Sequence, residues 1–484
     1  MNGSLSVKFK QLFSHGIIYG LTSSLQSILS FVLLPVLASF YSTEEFGVYS
    51  LLLVMGAFAS SVFYLGASSA LGRYYYEEDS IEYKRVVISS AFQLTAFGAL
   101  LLILLATLFA SNISSIAFQT IKYSLHIKLA FYGVGCTFLL NLLTLILRYD
   151  NKSKLFMVVT ITSVLLNFLI TYILLSYYNY GILAPLTGLF ISNLVSFLIL
   201  LVYIREHLDS AVYPVYLFKL LSFGIPALVT SLLFYVLDLA DRFIIKDLLN
   251  ISEVGVYSVA YKVASIVNVL LIAPFGLIWA PFRMQNSKNE LETKILMVKV
   301  TSYMFIIGFL IILFTLLYGR SLMAIFFDKP EFLEAAQIIP ILIMGIFLFG
   351  IQNILDYGIN LHKKLHYYIM TSICGILFNI VANYTFIPMW GLKGAAFATM
   401  FTYFLTTTLI FIFSSKFFKV SLEWNRIVSP FIYLSVLMAV FHYFPSTREN
   451  VLIGMVFFLL SLYVVFKFWL TNSERQFLKS ILSK

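Results

Sequence analysis

The chain has 484 residues, of which 61% are hydrophobic and only 11% charged, with a formal net charge of +10. A soluble globular protein carries about 25% charged residues, so a soluble domain is excluded, and the same figures exclude an intrinsically disordered chain. The basic residues punctuate apolar runs instead of forming a patch, so the charge reads as membrane topology and not as nucleic-acid binding.

The apolar content is enough for about fourteen spans of roughly 20 residues each. Lys8 and Lys10 precede the first apolar run. From Gly16 to Phe40 that run is too long for the core of a signal peptide, and it reads as a first spanning helix. In chain order the expected spans are 12–40, 44–70, 86–110, 123–147, 155–176, 181–204, 217–245, 253–282, 292–318, 333–361, 366–388, 392–415, 425–444 and 450–470. Pro35, Pro185, Pro226, Pro274, Pro281 and Pro340 lie in or near spans, where neighbouring helices can satisfy the freed backbone groups. Cys136 and Cys374 both fall in apolar runs, which argues against a disulfide framework or a cysteine metal site.

An even number of spans places both termini on one side. Breaks on that side carry about three times as many Lys and Arg as the other breaks, so both termini are expected in the cytoplasm. A single miscounted span would scramble this alternation. None of the breaks is long enough for a soluble domain, so the activity is expected within or across the bilayer.

The hexapeptide Glu45-Phe46-Gly47-Val48-Tyr49-Ser50 recurs as Glu253-Val254-Gly255-Val256-Tyr257-Ser258. Tyr19-Gly20-Leu21 matches Phe223-Gly224-Ile225, and Asn167 with Tyr180-Gly181-Ile182 parallels Asn379 with Trp390-Gly391-Leu392. The steady offset implies two related six-span halves, residues 1–210 and 211–420, followed by two extra helices and a tail over 421–484. Six is even, so both halves insert in the same direction, an arrangement found among secondary transporters. Ser42 with Glu45, and Asn250 with Glu253, have the spacing of helix caps, so the repeated motif reads first as architecture.

An ionisable side chain at the bilayer centre costs about 2.5 to 3.5 kcal/mol or more, so each one asks for a reason. Asp238, Asp241 and Arg242 share one face of span seven, and Lys262 lies at a similar depth in span eight. Two readings stand side by side. Arg242 and Lys262 can face an anion while the Asp residues serve a cation or proton, or Asp238 and Arg242 form a structural pair with long side chains snorkelling to the interface. Asp356, near the end of span ten, is either a coupling site or a solvated helix end. Arg73 and Arg148 end spans two and four, where they either anchor topology or meet an anionic headgroup. Thr22, Ser23, Ser24, Gln26, Ser27 and Ser30 give span one a polar face directed at water or at other helices. His15, at the mouth of that span, reads as solvated. The chain has no P-loop, so ATP is not expected to drive transport, and no His-Glu-x-x-His motif or nucleophile elbow.

Asp241-Arg242, Tyr257-Ser258-Val259-Ala260-Tyr261-Lys262 and Leu71-Gly72-Arg73-Tyr74-Tyr75-Tyr76-Glu77, with the repeated motif and the 6+6+2 pattern, resemble the polysaccharide-repeat-unit (Wzx-like) flippases. These belong to the multidrug/oligosaccharidyl-lipid/polysaccharide exporter superfamily. The resemblance implies an all-α, MATE-like membrane protein of fourteen helices in two pseudo-symmetric six-helix lobes, working by alternating access. It further implies an undecaprenyl-pyrophosphate-linked oligosaccharide as cargo, carried across a bacterial inner membrane for O-antigen, capsule or exopolysaccharide synthesis. Membrane lipids, a polysaccharide polymerase and a chain-length regulator are the partners it suggests, with no nucleic acid. A cationic central cavity is typical of the family, and Arg242, Lys262, Arg73 and Arg148 are the residues that could form it. An ion or proton gradient is the expected drive, with Asp238, Asp241 and Asp356 as coupling candidates and no other cofactor.

Three other readings compete. A multidrug or organic-cation exporter of the same fold would favour acidic and aromatic groups in its cavity, and the three Asp residues keep it open. A lipid II flippase is close in mechanism. A membrane polymerase or ligase would need a sizeable outer loop with catalytic Arg or His, and no break here supplies one.

Overall fold

The computed structural model describes residues 2–276, 279, 290–443 and 451–476. The side chains of residues 2–17 and of Asp238, the end of the eighth expected span, Arg283, Lys288, Arg448, Lys479 and Lys484 lie outside this description. No strand occurs among the described residues, as an apolar chain that must satisfy its backbone within each segment requires.

The first helices in order are α1 (Asn2–Phe40), α2 (Thr43–Phe63), α3 (Ala67–Tyr74), α4 (Ile81–Phe118) and α5 (Ser124–Tyr149). They are followed by α6 (Ser153–Ser176), α7 (Leu183–Ile204), α8 (Pro214–Leu248) and α9 (Ile251–Ala264). Then come α10 (Glu290–Phe326), α11 (Ile339–Leu355), α12 (His366–Trp390), α13 (Leu392–Ser415), α14 (Trp424–Tyr443) and α15 (Val451–Val464).

Eleven helices among the described residues are long and apolar enough to cross a membrane. The number becomes twelve if the bent pair Pro330–Gln337 and Ile339–Leu355 is one span. The other two of the fourteen expected spans coincide with α8 and α14, which are helical but not among the eleven. Within α8 the stretch 220–237 carries no charged residue, and Pro214–Pro226 counts among the shorter apolar helices of the described residues. The expected second span, 44–70, is interrupted: the backbone turns left-handed at Leu65 and Gly66, so α2 ends and α3 begins as a separate short helix.

The chain divides into two compact units, Met1–Ser258 and Val259–Lys484, the division falling inside α9. In the first unit the apolar core lies among α3 to α7, with Ala67, Leu71, Leu142, Ile146 and Leu200 fully or almost fully buried. In the second unit α13 packs against both α12 and α11, and α10 lies against α11 and α14.

The repeated motif has a clear structural role within the first unit. Ser42 and Glu45 form a reciprocal capping box at the start of α2, and Asn250 Oδ1 accepts from the Glu253 amide at 2.9 Å at the start of α9. The two copies then face each other. Thr43 and Ser252 hydroxyls lie 2.5 Å apart, and Ser50 donates to Ser258 at 2.5 Å. A Cβ on Gly47 would stand 2.0 Å from the Ile251 carbonyl oxygen, and one on Gly255 would stand 1.9 Å from that of Thr43. Each glycine thus meets the chain just before or within the first turn of the opposing helix, as a local two-fold relation demands. Small residues are what let two backbones approach so closely in a membrane protein.

Candidate functional site

The informative geometry of the first unit is a polar cavity among α1, α5, α6 and α7, with a volume of about 230 Å³. Its walls follow from helical periodicity. Ser23, Gln26 and Ser30 line it from α1; Thr137, Asn141, Thr144 and Arg148 from α5; and Thr160, Ser163 and Asn167 from α6. Steps of three and four place each set on one face of its helix. Ser192 and Asn193 of α7 close the remaining side.

Part of this wall is held rigid by its own hydrogen bonds. Ser163 donates to Asn193 Oδ1 at 3.1 Å, and Asn193 Nδ2 donates to Thr137 at 2.8 Å. Thr171 donates to Asn167 Oδ1 at 3.2 Å. None of the cavity-lining residues is a carboxylate. Arg148 is the one charged side chain in the lining, set in the last turn of α5. Its guanidinium lies over the Phe156 ring at 5.0 Å, and the edge of Tyr19 meets the same ring at 5.3 Å between centroids. Among the described residues no carboxylate forms an ion pair with Arg148. Asp150, two residues on, turns away to His207 and Lys152, each at 3.7 Å, and accepts from Tyr75 at 2.6 Å.

Arg73 belongs to the same end of this unit, since its neighbour Gly72 lies against the Tyr149 hydroxyl, next to Arg148. It is well exposed and bridges Glu77 at 3.5 Å, an i,i+4 surface pair. Such pairs contribute little to stability. Tyr75, Tyr76 and Tyr149 cluster around this end, with Tyr76 steeply inclined to the other two rings.

The charges of α8 stand apart from this cavity's lining. Asp241 is buried and accepts from the Tyr257 hydroxyl of α9 at 3.0 Å. Arg242 is buried beside it. The Asp238 side chain is outside the described residues. Lys262 belongs to the second unit and is exposed on α9. Asp356, in the second unit, is buried at the break between α11 and a short helix over Tyr357–Leu361. It accepts from the Tyr368 hydroxyl at 2.7 Å, and Asn360 donates to the same Tyr368 oxygen at 2.8 Å. Asp356 is therefore not the solvated helix end that its position suggested, because α12 brings Tyr368 over it.

The polar face of span one does border a cavity, as its serines and Gln26 implied. The facing stripes on α5 and α6 were missed, although their spacing in the sequence carries the same signal; neutral Asn and Thr at helical intervals stand out less from an apolar run than charges do.

A family model described as "Polysaccharide biosynthesis protein" matches residues 36–315, more than half of the chain. This chain belongs to that family. A protein named "Putative O-antigen transporter" from Shigella flexneri is 25% identical over 364 residues, covering 73% of this chain and 85% of that one. Among solved structures, the lipid II flippase MurJ in an inward closed conformation superposes with a TM-score of 0.75 at 16% identity. That match covers 93% of this chain and 99% of MurJ. An inward-facing multidrug resistance MATE family transporter of the MOP superfamily gives 0.63 at 13% identity, over 83% and 97% of the two chains. At such identities the likeness is one of fold, and it bears out the all-helical, MATE-like architecture. These relatives are transporters and flippases, and the chain is a multi-pass membrane protein.

Proposed function

We propose that this member of the polysaccharide biosynthesis family is a flippase for a lipid-linked oligosaccharide. It carries an undecaprenyl-pyrophosphate-linked repeat unit from the cytoplasmic to the outer leaflet of a bacterial inner membrane by alternating access, for surface polysaccharide assembly. Both termini are cytoplasmic in this reading, so the end of the first unit that bears Arg73, Arg148 and Lys152 is where cargo enters.

The observation that carries the reading is Arg148, a cation without an ion-pair partner among the described residues, at a cavity of amides and hydroxyls with no carboxylate in its lining. A pyrophosphate is prohibitively costly to move through hydrocarbon unaided. A guanidinium is suited to phosphate because its planar, fixed donors match the phosphate oxygens. Neutral amides and hydroxyls suit sugars, which donate and accept hydrogen bonds at the same atoms. An organic-cation exporter would need the opposite sign of charge here. Family membership and the O-antigen relative support a repeat-unit cargo over lipid II. Arg73 adds positive charge at the same end of the first unit, and Arg242 and Lys262 are further candidates for contact with the cargo. An ion or proton gradient drives the cycle, with Asp238, Asp241 and Asp356 as its carboxylates; a polymerase and a chain-length regulator act on the delivered unit.

The test is deletion of the gene with assay of lipid-linked oligosaccharide by leaflet and of glycan at the surface. Completed units should accumulate on the cytoplasmic leaflet while surface glycan is lost, and the wild-type gene should restore both. Normal intermediates and normal glycan in a strain stripped of other flippases would refute the proposal.

A further inference from the structure

The cavity of the first unit shows more than a preference for anions. Asn193, Ser163 and Thr137 satisfy one another, yet the amides of Gln26 and Asn141 have no hydrogen-bond partner among the described residues, and both side chains are exposed. Thr160 likewise makes no side-chain hydrogen bond among those residues. Accessible amides and hydroxyls on a cavity wall keep their hydrogen-bonding capacity for whatever polar group enters, water or ligand. These groups therefore face a polar occupant, and the paired set behind them fixes the wall on which they stand.

Size and spacing narrow the occupant. At about 230 Å³ the cavity is smaller than the roughly 300–1,000 Å³ of sites for drug-sized ligands. It suits one sugar ring and not a whole repeat unit. Asn141 and Arg148 lie on one face of α5, seven residues apart, which is about 10 Å along a helix. That is comparable to the reach of a pyrophosphate joined to one pyranose. We infer that the cavity is a saccharide subsite: Arg148 holds the phosphate while Gln26, Asn141 and Thr160 hydrogen-bond hydroxyl or acetamido groups of the sugar next to it. The subsite rests on the flippase reading and adds to it that the first unit selects the lipid-proximal sugar. A site built to hydrogen-bond a sugar rejects analogues that leave its polar groups unpaired.

The experiment measures binding by the full-length protein in nanodiscs of two probes. One is bare undecaprenyl pyrophosphate; the other is the undecaprenyl-pyrophosphate-linked oligosaccharide extracted from the native cells. The double variant Gln26→Leu/Asn141→Leu should bind the glycan-bearing probe about tenfold more weakly and the bare probe as wild type does. Thr160→Val, which keeps the side chain's shape and removes one hydroxyl, should shift the same probe in the same direction by a smaller factor and remains informative if the double variant folds poorly. Equal loss on both probes, or no loss on either, overturns the subsite and leaves the flippase reading standing. Failure of the wild-type protein to bind either probe overturns both.

Discussion

Arg148 is the residue on which the functional reading leans most. Its neighbours make it a clean target: it is exposed, it forms no ion pair among the described residues, and its guanidinium lies over the Phe156 ring at 5.0 Å. A cation over an aromatic face is worth about 0.5 to 1 kcal/mol at an exposed site. Arg148→Ala should therefore leave the amount of folded protein in the membrane nearly unchanged. Transport of the lipid-linked oligosaccharide, by the leaflet assay, should fall tenfold or more, because charge-assisted hydrogen bonds to phosphate are strong and geometrically specific. Arg148→Lys keeps the charge but loses the planar fork, so it should recover part of the rate. Wild-type transport by the alanine variant would remove Arg148 from the cargo path. Asp241 and Asp356 differ from Arg148 in kind. Both are buried, and each accepts from a tyrosine hydroxyl of another helix, so their substitution mixes structural and functional effects.

At the scale of elements, the crossing of α2 with α9 is the sharpest constraint. A methyl group on Gly255 would fall 1.9 Å from a backbone oxygen, and backbone cannot swing aside as a side chain can. Gly255→Ala should cost about 1 to 3 kcal/mol by overpacking, and Gly255→Leu more; thermal stability in detergent is the measurement. An unchanged melting temperature for both would mean that the helices do not cross as described. A second element-level device joins the segment after α15 to α10 and α14. Glu474 accepts from Arg426 at 2.6 Å, Tyr303 at 2.7 Å, the Thr471 amide at 2.7 Å and Lys299 at 3.0 Å. Burial alone would raise its pKa, but these donors outweigh burial and hold the carboxyl well below the usual carboxylate range. A depressed native pKa contributes stability above the unfolded value, and that stability is lost as pH falls. Protease resistance of this segment should be full at neutral pH and decline as pH drops below about 4.5, whereas Glu474→Gln should be flat over that range and weaker throughout. A variant as resistant as wild type at pH 7 would rule the cluster out as a fastening.

How much of this was legible beforehand follows from the same physics. Hydropathy located the helices, and the repeated hexapeptide marked the caps at Ser42 and Asn250, because both signals are local in sequence. The facing of Gly47 and Gly255 depends on a crossing between distant segments, so spacing announced a repeat without revealing the contact. The polar stripe Thr137, Asn141, Thr144 and Arg148 was present as a periodicity, but only packing against α1, α6 and α7 makes it a cavity wall.

For the whole molecule, topology is the decisive open quantity, and α8 decides it. The expected alternation of basic residues holds only if Pro214–Leu248 crosses the membrane despite its charges. Should α8 fail to cross, every later break before the next exception changes side, and Lys363 and Lys364 move to the outer face. Lys363 is exposed in the turn between the short helix over Tyr357–Leu361 and α12, with a backbone φ of 55°, so a probe placed there meets solvent and disturbs no core. A single cysteine introduced as Lys363→Cys, in a background carrying Cys136→Ala and Cys374→Ala, should resist a membrane-impermeant maleimide in intact spheroplasts. It should label fully once the membrane is opened. Labelling in sealed spheroplasts would place this turn outside. The charge asymmetry of the second half would then run against the positive-inside bias, and both the fourteen-span count and the cytoplasmic assignment of that half would fall together.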